Sequence, residues 1–240
     1  MDISEIKSAT TTLVDLAEEA ILDYIKKSNL KPGDRLKYDE NQLAQQLHVS
    51  RNVVREALSR LQSFGIIDSR QRKGILLQEP SMKKNLNKIL DPQILNKDRI
   101  LDLLELRYIL EVGIIPLLFN YIDEEDIRDL QNILPLHVLK SSERISIEHE
   151  IAFHSRIYEI TKNRAIIDLQ ESLIPIYNFT YNNYAEFNAY NQKIKRENLH
   201  VTHYDIVQAL MKKDPVLYEN VIERHLKPYQ LYVQDQKKIK

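Results

Sequence analysis

Seven histidines stand in a 240-residue chain that has no cysteine, so any bound metal must be held by nitrogen and oxygen. His149-Glu150 followed by His154 resembles a zinc-protease HExxH, but three residues separate Glu150 from the second histidine. The two histidines are then about 140° apart around a helix and cannot share one metal from one face. Glu150 and His154, four apart, do project together. His203 and His225 stand eleven residues on either side of Asp214, which in an antiparallel helical hairpin brings them to the same height. A carboxylate and three imidazoles from three helices can converge inside a bundle. Such a set suits a divalent transition metal, zinc foremost with nickel or manganese as alternatives, and leaves positions open for water or a ligand. The same side chains also fit a metal-free pocket of satisfied core histidines, and His200 could stand in for His203 from another part of the face.

A second chemistry is polyanion binding. The net charge is −1, yet Arg51 to Lys73 holds six bases (Arg51, Arg55, Arg60, Arg70, Arg72, Lys73) against Glu56 and Asp68. This stretch is polarised inside a neutral chain. Arg51 and Arg55 share one helical face, opposite the Val54, Ala57, Leu58, Leu61 stripe. Arginine can grip guanine O6 and N7 with two parallel hydrogen bonds. Ser50 and Asn52 would add polar contacts, while Arg72 and Lys73, with Gly74 permitting close approach, suit the DNA backbone or minor groove.

The elements that would position these residues fall into two groups. Leu13, Val14, Ala17, Ala20, Ile21 and Tyr24 recur at helical spacing, and the turn Lys31-Pro32-Gly33-Asp34 ends that helix. A short helix follows over 40–47, then a tight His48-Val49-Ser50 connection. Ser50 caps a helix over 51–64, and Gly65 fits its C′ position. Runs at 66–70 and 75–78 flank a basic tip, Gln71-Arg72-Lys73-Gly74. This is the order of a winged helix-turn-helix, placed at 9–79. A linker and linking helix occupy 80–97, and 98–237 reads as an all-helical antiparallel bundle. The fold class is therefore mainly α, with six or seven helices in the second part: 82–88, 94 or 98–121, 123–134, 142–161, 165–186, 192–213 and 214–237. Pro116 and Pro175 lie inside helical patterns and should kink or break them.

Composition narrows the functions. The four glycines form no phosphate-cradling loop, so nucleotide-dependent chemistry is not expected. No nucleophile constellation is visible. Acids stand at the amino terminus where a signal peptide needs bases, and no apolar run approaches a membrane span. The expected protein is soluble and cytoplasmic, with no membrane partner.

Taken in order, Leu30-Lys31-Pro32-Gly33-Asp34-Arg35-Leu36, then Gln42 to Leu58 with the core Val49-Ser50-Arg51-Asn52-Val53-Val54-Arg55-Glu56-Ala57-Leu58, then Phe64-Gly65-Ile66-Ile67 resemble the DNA-binding domain of GntR-family bacterial regulators. The remainder resembles the FCD effector domain of the FadR-like subfamily, on Glu105-Leu106-Arg107 with Glu111, Phe153-His154 followed by Asn163, His203 with Ile206 and Ala209, and Asp214 before His225-Leu226. His48 stands where relatives usually carry glycine, Asn41 where many have an arginine, Asn52 and Val53 where threonine and proline are common, and Glu150 where aspartate is usual. The resemblance implies a homodimer on a palindromic operator, the same three histidine ligands, and Arg107 facing the effector cavity, where it would pair with an acid group. Tyr177, Tyr181 and Tyr184 share a face and offer hydroxyls to a polar ligand or simply pack in the core. The expectation is a ligand-responsive transcription regulator, a repressor, with a metal-assisted pocket for a small organic acid. A metal-dependent enzyme on a DNA-binding head and a metal-free architectural DNA binder are the alternatives.

Overall fold

The computed structural model describes residues 11–70, 74–134, 146–183, 187, 189–190, 192–193 and 201–238. The chain divides into two compact units, Met1–Ser81 and Met82–Lys240.

In the first unit, α1 (Leu13–Lys27) begins at a capping box in which Thr12 and Asp15 satisfy each other's backbone amides. A turn with Gly33 at φ 97° leads to α2 (Glu40–Gln46), capped by Asp39. The connection to α3 (Arg51–Ser63) passes through His48 at φ 53°, a left-handed position that glycine would occupy at lower cost. Val54, Ala57, Leu58 and Leu61 of α3 are buried with Ala17, Ile21 and Ile25 of α1. Leu13, expected on the buried face, is exposed. Strands β1 (Ile67–Arg70) and β2 (Gly74–Leu77) pair antiparallel from Ile67 opposite Leu77 to Arg70 opposite Gly74. The Gly33–Leu36 segment lies along β2, bonded through Gly33 N to Leu77 O, Leu77 N to Asp34 O and Leu36 N to Ile75 O, each 2.8 Å.

The second unit contains nine helices among the described residues: α4 (Met82–Ile89), α5 (Lys97–Gly113), α6 (Ile115–Tyr121), α7 (Glu124–Ile133), α8 (Ile147–Ile160), α9 (Arg164–Asn183), α10 (His203–Met211), α11 (Pro215–His225) and α12 (Lys227–Lys238). Two expected helices are split. Pro116 sits in the first turn of α6 and separates it from α5, whereas Pro175 is accommodated inside α9. The helix expected over 214–237 breaks at Leu226, because Pro228 cannot donate to a preceding turn and instead starts α12. Thr202 caps α10 in an extended conformation, so no single helix runs through 192–213. One core gathers Leu118, Leu130, Phe153, Ile157, Ile206, Leu210, Tyr218 and Ile222. A second joins Leu104 of α5, Leu173 and Ile176 of α9 and Tyr232 of α12. Burying such side chains contributes roughly 1.5–3 kcal/mol each.

Candidate metal centre and nucleic-acid interface

The amino end of α3 carries the residues expected to meet DNA. The Ser50 hydroxyl accepts from Val53 N and caps the helix. With the apolar stripe turned toward α1, Arg51, Asn52 and Arg55 are left exposed. Glu40, in the first turn of α2, gathers both arginines. Arg55 Nη2 donates to Glu40 Oε1 at 2.8 Å, and Arg51 Nη2 lies 3.8 Å from the same oxygen. Exposed ion pairs add little stability, but this one sets the two guanidiniums side by side. Glu40 was missed from sequence because fifteen residues separate it from Arg55. Arg72 and Lys73 lie outside the described residues. Gly74 has φ 75°, and a Cβ placed there would stand 2.5 Å from Arg35 Nε. The space that the glycine leaves is taken by Arg35, a residue the sequence reading did not single out.

In the second unit, Glu150, His154, His203 and His225 come together, each offering one ligand atom, all within 4.8 Å of one another. Their positions follow from local structure. Ser146 caps α8 and places Glu150 and His154 one turn apart on it. Thr202 caps α10 so that His203 is its first residue. Asp214 caps α11, whose last residue is His225. The hairpin brings the His203 and His225 rings to 4.5 Å between centroids, with His154 at 5.4 and 5.3 Å from them. Phe153 packs edge-on against His203. Asn163 caps α9, its Oδ1 accepting from Ala165 N and Ile166 N.

Two of the three imidazoles are held through Nδ1. His154 Nδ1 lies 2.8 Å from Glu111 Oε2, and His225 Nδ1 lies 3.3 Å from Val201 O. Such outward bonds leave Nε2 of each ring for a metal. Buried His154 Nε2 and His203 Nε2 have no hydrogen-bond partner. They are near the Glu150 oxygens, at 3.4 and 3.1 Å, without the alignment of a hydrogen bond. Buried polar atoms left unpaired are costly, and a cation about 2.1 Å from each would satisfy both. The four residues fit a divalent transition metal.

Charge follows the same logic. Burial pulls His225 down to about 3, with the neighbouring His203 ring adding to it, and burial likewise lowers His203. Both rings are neutral at pH 7, as ligands must be. Burial also opposes charge on His154, but the Glu111 carboxylate beside it raises it to about 9. Glu111 is driven up by burial and more strongly down by His154 and then Arg107, to about 2. Burial raises Glu150 as well, and His203 and His154 hold it well below the carboxylate range.

Arg107 on α5 is fully enclosed. Its Nε donates to Glu111 Oε1 at 3.1 Å and its Nη2 to Glu150 Oε1 at 3.0 Å. The Tyr177 and Tyr229 rings cover it at 4.6 Å each. Its Nη1 is buried without a partner. Tyr177 hydroxyl is likewise buried and unpartnered, while Tyr181 follows one turn later on α9, half-buried. Tyr184 and His200 lie outside the described residues. Glu111, which joins Arg107 to His154, and Tyr229 were not among the expected site residues. The four-residue spacing Arg107–Glu111 was the signal that could have found Glu111, whereas the break at Leu226 hides Tyr229 from any such spacing.

The chain matches bacterial regulatory proteins of the gntR family over residues 13–77 and the FCD domain over residues 102–228. It is 26% identical over 204 residues to the HTH-type transcriptional regulator LutR of Bacillus subtilis (strain 168), covering 84% of this chain and 92% of that protein. It is 28% identical over 229 residues to the Uxu operon transcriptional regulator of Escherichia coli (strain K12), covering 92% of this chain and 87% of that one. The solved structure of Streptococcus agalactiae GntR shares the fold at a TM-score of 0.51 and 22% identity, covering 91% of this chain and 99% of that one. No helix among the described residues is long and apolar enough to cross a membrane. The chain belongs to the gntR family of bacterial regulatory proteins with an FCD domain, and is a DNA-binding transcription regulator rather than an enzyme.

Proposed function

We propose that this regulator is a homodimeric repressor that binds a palindromic operator and responds to a small carboxylate received at a metal centre. Glu150, His154, His203 and His225 hold the metal, which supplies an electrophilic position for a carboxylate oxygen. Arg107, Tyr177 and Tyr181 line the acid's side of the pocket. The observation that carries this reading is Arg107 Nη1, buried with no partner beside the four ligand atoms. A buried guanidinium donor calls for an acceptor, and a carboxylate of the effector is one.

The charge balance points the same way. Glu111 and Glu150 are carboxylates, Arg107 is a cation, and a divalent ion displaces the proton of His154. That set carries one surplus positive charge, which one carboxylate group neutralises. Glu111 keeps His154 in the tautomer that presents Nε2, and the two tyrosine rings exclude water from the guanidinium face. Zinc is the leading metal for three imidazoles and one carboxylate.

On the DNA side, Arg51 and Arg55 read base edges, Ser50 and Asn52 add polar contacts, and Arg72, Lys73 and Gly74 belong to the wing. One recognition helix reads too few base pairs alone, which favours a dimer on two half-sites. The effector changes operator affinity only if it binds the DNA-competent arrangement and its alternative unequally. Calorimetric titration of a panel of small mono- and dicarboxylates into zinc-loaded wild type and His203→Ala tests the pocket. Binding confined to the zinc-loaded wild type is expected, and equal binding by the variant would overturn the metal's part.

A further inference from the structure

We infer that Arg35 is a DNA-phosphate contact of the wing, held in place by the missing side chain of Gly74. This rests on the DNA-binding reading of the first unit, and adds to it a residue outside the helix-turn-helix and outside the wing hairpin itself.

The observations are geometric. Arg35 lies on the Gly33–Leu36 segment, which runs along β2 and bridges Arg35 to Leu76. The wing is thus effectively three-stranded, and Arg35 belongs to its outer member. The guanidinium does not extend away from the sheet. It lies over the Cα of Gly74, where Cβ would meet Nε at 2.5 Å, Nη2 at 2.7 Å and Cζ at 2.8 Å. Gly74 pairs with Arg70 at the end of the hairpin that leads to Gln71-Arg72-Lys73. Arg35 therefore carries its charge to the tip end of the wing although it is some forty residues away in sequence.

Its surroundings set it apart from Arg51, Arg55 and Arg60. Arg60 is tied to Asp15 and Glu56, and Arg51 and Arg55 to Glu40. Arg35 is exposed, and no carboxylate among the described residues pairs with it. A flexible, long side chain that packs on backbone rather than spreading into water, with no acid beside it, is a cation kept available for an anion. Arg72 and Lys73 directly precede Gly74 in sequence, and the anion for such a basic segment is a DNA phosphate, which fixes register and carries no sequence information. The glycine is then explained twice over. Its φ of 75° suits glycine, and its bare Cα is the surface on which the guanidinium rests.

The test is the salt dependence of binding to a mixed-sequence duplex, for wild type, Arg35→Ala, Arg35→Lys and Gly74→Ala. Each phosphate contact contributes about 0.9 to the slope of log K against log salt. Arg35→Ala is expected to make the slope shallower by about that amount per protomer with an unchanged melting temperature, and Arg35→Lys to restore it. Gly74→Ala should lower affinity in the wild type and add little in the Arg35→Ala background. An unchanged slope in Arg35→Ala, with wild type still binding in a salt-dependent way, overturns the inference alone. A slope unchanged while the melting temperature falls shows a structural role and overturns it too. Failure of wild type to bind duplex at all would instead strike the DNA-binding reading on which it rests.

Discussion

Replacing Glu111 with glutamine tests whether the buried network behind the metal ligands does more than fill space. Glu111 is 1% exposed and gives one oxygen to Arg107 Nε and the other to His154 Nδ1. Glutamine keeps the shape but has one acceptor and one NH2 group. If its oxygen faces His154, the NH2 opposes the Arg107 Nε–H. If its oxygen faces Arg107, the NH2 demands a lone pair on His154 Nδ1 and moves the ring proton to Nε2, the atom required by the metal. Either arrangement leaves a buried donor without an acceptor, at a cost of about 1–3 kcal/mol. Loss of an outer carboxylate of this kind lowers metal affinity about 10–100-fold. The assay is zinc affinity by competition with a chromophoric chelator, alongside thermal melting without metal. Glu111→Gln is expected to weaken zinc by that factor while remaining folded. Glu111→Ala, which strands Arg107 with one carboxylate fewer, should also be destabilised by about 3–5 kcal/mol. Unchanged zinc affinity in a folded Glu111→Gln protein would refute the tautomer argument.

Other outcomes follow from the first unit. Arg51→Ala and Arg55→Ala should each remove about 1–3 kcal/mol of discrimination between operator and random duplex and leave the far-UV circular dichroism unchanged; retained discrimination in both would remove α3 as the reading helix. Asp15 is held below its usual value by the Thr12 backbone amide and hydroxyl and then by Arg60, so its contribution is present above the unfolded carboxyl value near about 4 and is lost as pH falls through the lower folded value. The melting-temperature gap between wild type and Asp15→Asn should therefore narrow as pH is lowered through that range, and a constant gap would contradict it.

Where the sequence was informative, the signal was local. Ser50, Gly65 and the left-handed His48 mark the turn and ends of α3 because caps and positive φ depend on a few adjacent residues. The convergence of Glu150, His154, His203 and His225 was legible for a related reason: Glu150 and His154 are one turn apart, and Asp214 caps the second helix of the hairpin between His203 and His225. The break at Leu226 was hidden because Tyr218, Ile222, Leu226, Tyr229 and Val233 keep helical spacing across it, and only Pro228 betrays the interruption. Glu111 and Glu40 escaped for a different reason. What matters for each is which distant charge it meets, His154 forty-three residues on and Arg55 fifteen residues on. Helix periodicity records the Arg107–Glu111 pairing but not these distant meetings. Gly74 shows the converse: its type points to close approach to DNA, and the space beside its Cα holds Arg35, from another strand-like segment.

The central claim is that Glu150, His154, His203 and His225 form a metal centre despite glutamate in place of the usual aspartate. Elemental analysis of protein purified without chelator or metal-affinity resin, for wild type and His203→Ala, addresses it directly. About one equivalent of a transition metal per chain in wild type, falling to little in the variant, is the predicted result. No metal in wild type, or the same content in His203→Ala, would contradict it.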